Sequence, residues 1–348
     1  MIHSARGTVN VQAVLAGNRR ALARALTEVE NDTQTGREAL DEFFQFSGKA
    51  HLIGVTGSPG AGKSSLVNQL TRVLRNPSGG NAQKVAIVAV DPSSPFTGGA
   101  ILGDRIRMRD ISSDPGVFIR SMASRGHLGG IARTTSAVVR VLDAAGFEFI
   151  LIETVGAGQS EVDIARLAHT TIVVEAPGMG DDIQAIKAGI LEIADILVVN
   201  KADHPLADNT LRALSASLEF AKPGQISSLD RFHHRELAFE PVTTKVEMEN
   251  NQDERWVPPV LKTISTEGGG IEDVVSAIKQ HADYLRKHNE WGSRDAARLQ
   301  EELNELLLAA FAEEWRKRID RNRIQAILEE MLERKMSPQN AVKKLLTG

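Results

Sequence analysis

From His51 to about Tyr284, short runs of β-branched and aliphatic residues alternate with segments whose apolar positions recur at helical spacing. The runs are Leu52–Val55, Val85–Val90, Val117–Ile119, Phe147–Ile152, Thr171–Val174, Ile196–Val199 and Val260–Ile264. Most are apolar at successive positions rather than at alternate ones, which fits strands covered on both faces. The pattern predicts an α/β domain built on a mostly parallel, doubly wound sheet with helices on each side. Ahead of it, Val14, Leu15, Leu22, Leu26 and Val29 fall close to a helical period and predict one or two N-terminal helices within residues 1–50.

Two stretches break the alternation. Asn76 to Asn81 has the composition of a surface turn, and Gly224 to Trp256 is a polar, charged excursion before the last strand. After about Glu290 the chain turns to strong helix formers. Leu299, Leu303, Leu306 and Ala310 are spaced by four, three and four, continued by Phe311, Trp315 and Ile319. A further helix carries Ile324, Ile327, Leu328, Met331 and Leu332. Pattern alone leaves two readings of residues 290–348, a lid on the same subunit or a dimerisation arm. The expected division is 1–50, 51–289 and 290–348.

Composition narrows the class without choosing a function. The 348 residues are 42% hydrophobic and 25% charged, as in ordinary globular proteins. No apolar run approaches the roughly 18 residues that mark a membrane helix, and Met1 to Arg6 has no apolar core of the signal-peptide type. A formal charge of -4 gives no basic footprint for nucleic acid. The absence of cysteine excludes disulfides and thiolate chemistry and is compatible with the cytoplasm. The expectation is a cytoplasmic protein without nucleic-acid or membrane partners.

Chemistry enters at Gly57-Ser58-Pro59-Gly60-Ala61-Gly62-Lys63-Ser64, a G-x-x-x-x-G-K-[ST] phosphate loop lying between a strand and a helix. Its glycines let backbone N–H groups close around phosphate oxygens, and Lys63 adds a mobile cation. Ser64 is placed to bind Mg²⁺ through its hydroxyl, and Ser65 to offer its backbone to the α-phosphate. The second motif is Asn200-Lys201-Ala202-Asp203, after another apolar run. The Asp203 carboxylate can accept from both N1–H and the exocyclic amine of guanine. Ser265-Thr266-Glu267, following the last strand, occupies the position of a loop that packs on the base.

Hydrolysis needs further oxygen ligands and something to orient water. Asp91 stands at the carboxyl end of its strand, on the ligand side of a parallel sheet. Either Asp91 or Asp104 can hold the metal or its water shell; the structural alternatives are a turn cap and a surface charge. Glu153 and Gly156 fall where a metal-linked acid and a γ-phosphate contact are expected, and Gln159 just beyond can orient water. Pro177 to Asp182 is a Gly-flanked acidic loop, with Lys187 beyond it; Asp181 suits either a nucleotide-dependent switch or a helix cap. His204, His233 and His234 read as solvent-facing loop histidines, and Arg105, Arg107 and Arg109 as a solvated helix face.

Taken together, Gly57–Ser65, Asp91–Pro95 with Gly98–Arg105, Glu153–Glu161 and Asn200–Asp203 resemble the MeaB/ArgK-type GTPases, the G-protein chaperones of adenosylcobalamin-dependent acyl-CoA mutases such as methylmalonyl-CoA mutase. The resemblance spans nearly the whole chain. It implies a P-loop GTPase using GTP/GDP and Mg²⁺, homodimeric through its C-terminal helices, that gates cofactor loading and protects or reactivates its mutase. It also implies slow intrinsic hydrolysis accelerated by the client. Lys63, Asp91, Glu153 and Gln159 become the expected catalytic set, and Ser64, Asp91, Asp104 and Glu153 the metal set. Asp181, Asp182 and Lys187 match the family's third switch loop. Asn76–Asn81 and Glu247–Glu254 lie outside the matched motifs. A kinase or a nickel-insertion GTPase stands as the alternative; the chain shows no separate phosphoacceptor site and neither cysteine nor a histidine-rich tract.

Overall fold

A computed structural model describes residues 8–92, 108, 110–124, 130–154, 160–178, 188–220, 255–318 and 320–346. Three helices open the chain, α1 (Val11–Leu15), α2 (Arg19–Glu30) and α3 (Gln34–Phe44). They number three because the sequence restarts the helix twice. Asn18 accepts from the N–H groups of Arg20 and Ala21, and Thr33 from that of Gly36, so each segment satisfies its own first turn.

There follow β1 (His51–Gly57), α4 (Lys63–Arg75), β2 (Val85–Pro92), β3 (Val117–Ser124), α5 (Gly130–Ala144), β4 (Phe149–Thr154) and α6 (Ser160–Leu167). The domain continues with β5 (Thr170–Glu175), α7 (Ala188–Ile193), β6 (Ile196–Asn200), α8 (Ala207–Phe220), β7 (Val260–Thr263) and α9 (Ile271–Lys287). All seven strands are parallel, in the order β3-β2-β4-β1-β5-β6-β7. The doubly wound α/β class expected from the sequence is therefore the class observed.

Successive strand residues enter opposite cores. Leu52, Ala86, Val88, Ile150 and Ile152 join one cluster with α2, α3 and α5, while Ile53, Val55, Val85, Ile87 and Leu151 join another with α4 and α9. This is why the strands are apolar at every position rather than at every second one. Two boundaries differ from the sequence expectation. Phe147 closes the end of α5 by donating to Leu142 O, so β4 starts at Phe149 and carries Glu153 inside it. β3 runs on to Ser124 because it pairs with β2 along its whole length.

The remaining helices are α10 (Glu290–Arg318), α11 (Arg321–Leu332) and α12 (Pro338–Leu346). The chain divides into two compact units, and the division falls inside α10, between Arg298 and Leu299. In the second unit, Asp320 caps α11, Lys344 pairs with Glu330, and Ile327 and Ala341 are buried. Leu303, Leu306, Leu308, Phe311, Leu328 and Leu332 are exposed. No helix among the described residues is long and apolar enough to cross a membrane.

At the amino ends of the strands the first unit buries charge. Asp143 accepts from the N–H groups of Gly48, Lys49 and Ala50, fixing the entry to β1. Arg294, on the first turns of α10, grips Asp195 with both terminal nitrogens, at 3.0 and 3.1 Å, and donates to His169 O. Asp195 also accepts from Thr171 N–H. Beside this pair, His51 and His281 share the Thr170 hydroxyl, and Trp291 stacks on His169 at 4.0 Å.

Removing one partner of such an enclosed pair strands the other charge. Asp195→Ala is expected to cost about 3–5 kcal/mol in urea unfolding; a loss under 1 kcal/mol would contradict the assignment. Burial holds the His51 imidazole well below its ordinary pKa, reinforced by nearby cationic groups. Burial also lowers His169, although its bond to Asp295 works the other way. Both histidines favour the neutral form in the fold, whereas the unfolded chain binds their protons near pH 6.5. Stability is thus expected to be full above about pH 6.5 and to fall as pH drops from there toward the depressed folded values. His51→Gln should flatten that slope in urea midpoints measured between pH 8 and 5.5, and an unchanged slope would refute the role given to His51.

Candidate nucleotide site

The parallel order brings the carboxyl ends of β2, β4, β1, β5, β6 and β7 to one edge, and the loop after β1 lies in their midst. That loop needs glycine for two separable reasons. Gly57 has φ +129° and lies so near β5 that a Cβ would stand 2.0 Å from Val174 O. Gly62 has φ +95°, and a Cβ there would meet Asn200 Nδ2 at 2.3 Å. Any other residue at either position would strain the backbone and displace a neighbouring strand end.

No side chain caps the start of α4, which follows directly on Gly62, so its first N–H groups face the loop, as in anion sites. Lys63 is buried and donates to the carbonyls of Gly57 and Ser58, at 2.8 and 3.1 Å. These are neutral acceptors beside a charged ammonium, and an incoming phosphate offers stronger ones. Ser64 donates its hydroxyl to Glu153 Oε1 at 2.5 Å, with both residues buried. A hydroxyl and a carboxylate side by side are hard oxygen donors of the kind Mg²⁺ takes together with phosphate oxygens, so these residues fit that ion.

Asn200, last in β6, is a crosslink. Its amide donates to Ala61 O at 2.8 Å, and its Oδ1 accepts from Thr263 Oγ1, Ser265 N–H and Ser265 Oγ. This side chain, expected from sequence among the nucleotide contacts, bonds to the walls of the site. Lys201 follows at φ +58°, and Ala202 N–H donates to Thr263 O, so Lys201 and Asp203 project from a pinned turn and are exposed. Ser265 is buried in the Asn200 network, whereas Thr266 and Glu267 are exposed in the turn closed by Glu267 N–H and Gly268 N–H on Ile264 O.

Several expected residues lie outside the described part of the chain: Asp104, Gly156, Gln159, Asp181, Asp182, Lys187, Arg105, Arg107, Arg109, His233 and His234. Asp91 is placed by its backbone, within β2 opposite Ala123 and two residues past the Ala89–Glu153 pair. His204 is exposed and accepts from Leu206 N–H through Nδ1. Sequence reasoning passed over Glu175, the last residue of β5, whose Oε2 accepts from the Ser58 hydroxyl at 2.7 Å. The available signal was an acid closing an apolar strand, the same signal that drew attention to Glu153.

The model of the family described as methylmalonyl-CoA mutase-associated GTPase MeaB matches residues 22–319. A Pyrococcus abyssi protein named as a GTPase is 40% identical over 336 residues, 97% of this chain and 94% of its own. GTPase ArgK of Escherichia coli K12 is 35% identical over 297 residues, covering 83% and 86%. Among solved structures, an LAO/AO transport system kinase aligns over 96% of this chain and 94% of its own, with a TM-score of 0.63 and 22% identity, a likeness of fold. With the phosphate loop and its crosslinks in place, these matches establish the chain as a GTPase of the MeaB family.

Proposed function

We propose that this GTPase is the G-protein chaperone of an adenosylcobalamin-dependent acyl-CoA mutase of the methylmalonyl-CoA mutase type, gating cofactor loading and protecting or reactivating the enzyme. The observation that carries the reading is the joining of the phosphate loop, Glu153 and the Asn200 turn into one cluster, in a chain whose family is described by its association with that mutase.

In this reading the Asp203 carboxylate selects guanine, while Thr266 and Glu267 flank the base. Lys63 leaves the carbonyls of Gly57 and Ser58 for the β- and γ-phosphates, and the N–H groups at the start of α4 neutralise them further. Ser64, Asp91, Glu153 and Asp104 hold Mg²⁺. When bound, that ion offsets the charge that develops on the transferring phosphoryl group. Gly156 contacts the γ-phosphate and Gln159 orients water, while Asp181, Asp182 and Lys187 report the nucleotide state to the mutase. The protein acts in the cytoplasm as a homodimer. The exposed Leu303, Leu306 and Phe311 of the second unit supply an apolar surface of the kind dimers bury.

Replacing Asp203 by Asn turns one of the two acceptors for guanine into a donor. Asp203→Asn is expected to weaken GTP binding about a hundredfold, equivalent to about 3 kcal/mol, and to favour xanthosine triphosphate. Unchanged preference in competition calorimetry would refute the base-reading role. For the client, association with methylmalonyl-CoA mutase is expected to depend on the nucleotide in analytical ultracentrifugation. Absence of a complex with GDP, GTP and a non-hydrolysable analogue alike would overturn the chaperone reading.

A further inference from the structure

Ser58 and Glu175 meet because of strand register. Gly57 pairs with Val174, so Ser58, the first residue of the phosphate loop past β1, and Glu175, the last residue of β5, stand at the same level. The Ser58 hydroxyl donates to Glu175 Oε2 at 2.7 Å, a charge-assisted bond. Ser58 is also a hub of the loop through its backbone, since its carbonyl accepts from Lys63 Nζ at 3.1 Å and from Ala61 N–H at 3.2 Å. The carboxylate therefore grips the residue on which the phosphate-binding lysine rests.

A negative charge beside a loop built for phosphate works against ligand binding by simple Coulomb repulsion. Its presence there calls for a compensating role, and the geometry supplies one. Ala176, Pro177 and Gly178 lead away from β5 directly after Glu175. Glu175 is held by the phosphate loop, so this segment starts from a residue tied to that loop. A change of shape in the phosphate loop thus bears on the segment that follows β5.

We propose that Glu175 is a positioning residue for GTP hydrolysis. Through Ser58 it holds the phosphate loop in the shape that distinguishes GTP from GDP and ties that shape to the segment leaving β5. Glu175 touches no phosphate in this assignment and acts through Ser58. The proposal depends on the GTPase activity and not on the identity of the client.

The test uses the full chain without any mutase, as a double-mutant cycle over Ser58→Ala and Glu175→Gln. Each single variant is expected to lower kcat for GTP hydrolysis about five- to tenfold and to shift the ratio of GTP to GDP affinity by a similar factor, the range for one lost hydrogen bond. The double variant should be no worse than the worse single one, and Ser58→Thr, which keeps the hydroxyl, should lose less kcat than Ser58→Ala. A charge-only role for Glu175 predicts instead that Glu175→Gln tightens GTP binding while Ser58→Ala changes nothing. Either that outcome or multiplicative effects in the double variant would overturn the proposal. Melting temperatures of Glu175→Gln and Ser58→Thr within a few degrees of the parent separate positioning from loss of fold; a drop of Glu175→Gln well beyond that, with kcat restored on cooling, would assign Glu175 to the fold and also overturn it.

Discussion

The carboxamide of Asn200 reaches Ala61 O in the phosphate loop, while its oxygen takes three bonds from Thr263 and Ser265 at the end of β7. One buried side chain thereby fixes the phosphate loop against the turns that carry Asp203 and Thr266. An amide suits this junction because it offers donors on one side and an acceptor with two lone pairs on the other. Asp at this position would repel Ala61 O, and a hydrophobic residue would leave Ser265 N–H buried without its partner. The close fit of Gly62 against Asn200 Nδ2 belongs to the same constraint, since any Cβ at residue 62 would break the junction.

Around that junction the site balances charges that oppose one another until nucleotide arrives. Lys63 rests on two carbonyls, Glu153 holds the Ser64 hydroxyl, and Glu175 holds Ser58. Each is a bond a ligand can exchange for a stronger one or must leave intact. In the proposed function Lys63 gains by moving to phosphate, and Ser64 and Glu153 gain by turning to a cation. Ser58 gains nothing by leaving Glu175, because a hydroxyl donor already has a charged acceptor. The loop thus has movable contacts at its far end and a fixed one where it leaves β1.

Much of this arrangement was legible in the chain alone, because its signals are local. Apolar residues at successive positions imposed a sheet with two covered faces, and the glycine spacing from Gly57 to Gly62 imposed the phosphate loop. The turn after Asn200 was readable for the same reason. What escaped was set by register between distant strands. Glu175 reaches Ser58 across 117 positions, and no spacing rule within either segment announces it. The bonds from Asn200 to Ala61, Thr263 and Ser265 were equally unreadable, because the motif names the residue and not the atoms it bonds. The start of β4 was misplaced because Phe147 is as apolar as a strand residue, while its backbone serves the end of α5.

The two edges of the sheet divide stability from chemistry, and the division has a physical cause. At the amino ends, charges are closed in pairs: Asp143 by three N–H groups, and Asp195 by Arg294 and Thr171. Such groups have compensated their desolvation within the fold and have no reason to accept a ligand. At the carboxyl ends, Lys63 donates to the carbonyls of Gly57 and Ser58, and the start of α4 has no side-chain cap. Those groups are better satisfied by an anion than by the protein. A parallel sheet enforces this polarity, because every loop that follows a strand emerges on the same edge and every loop that precedes one emerges on the other.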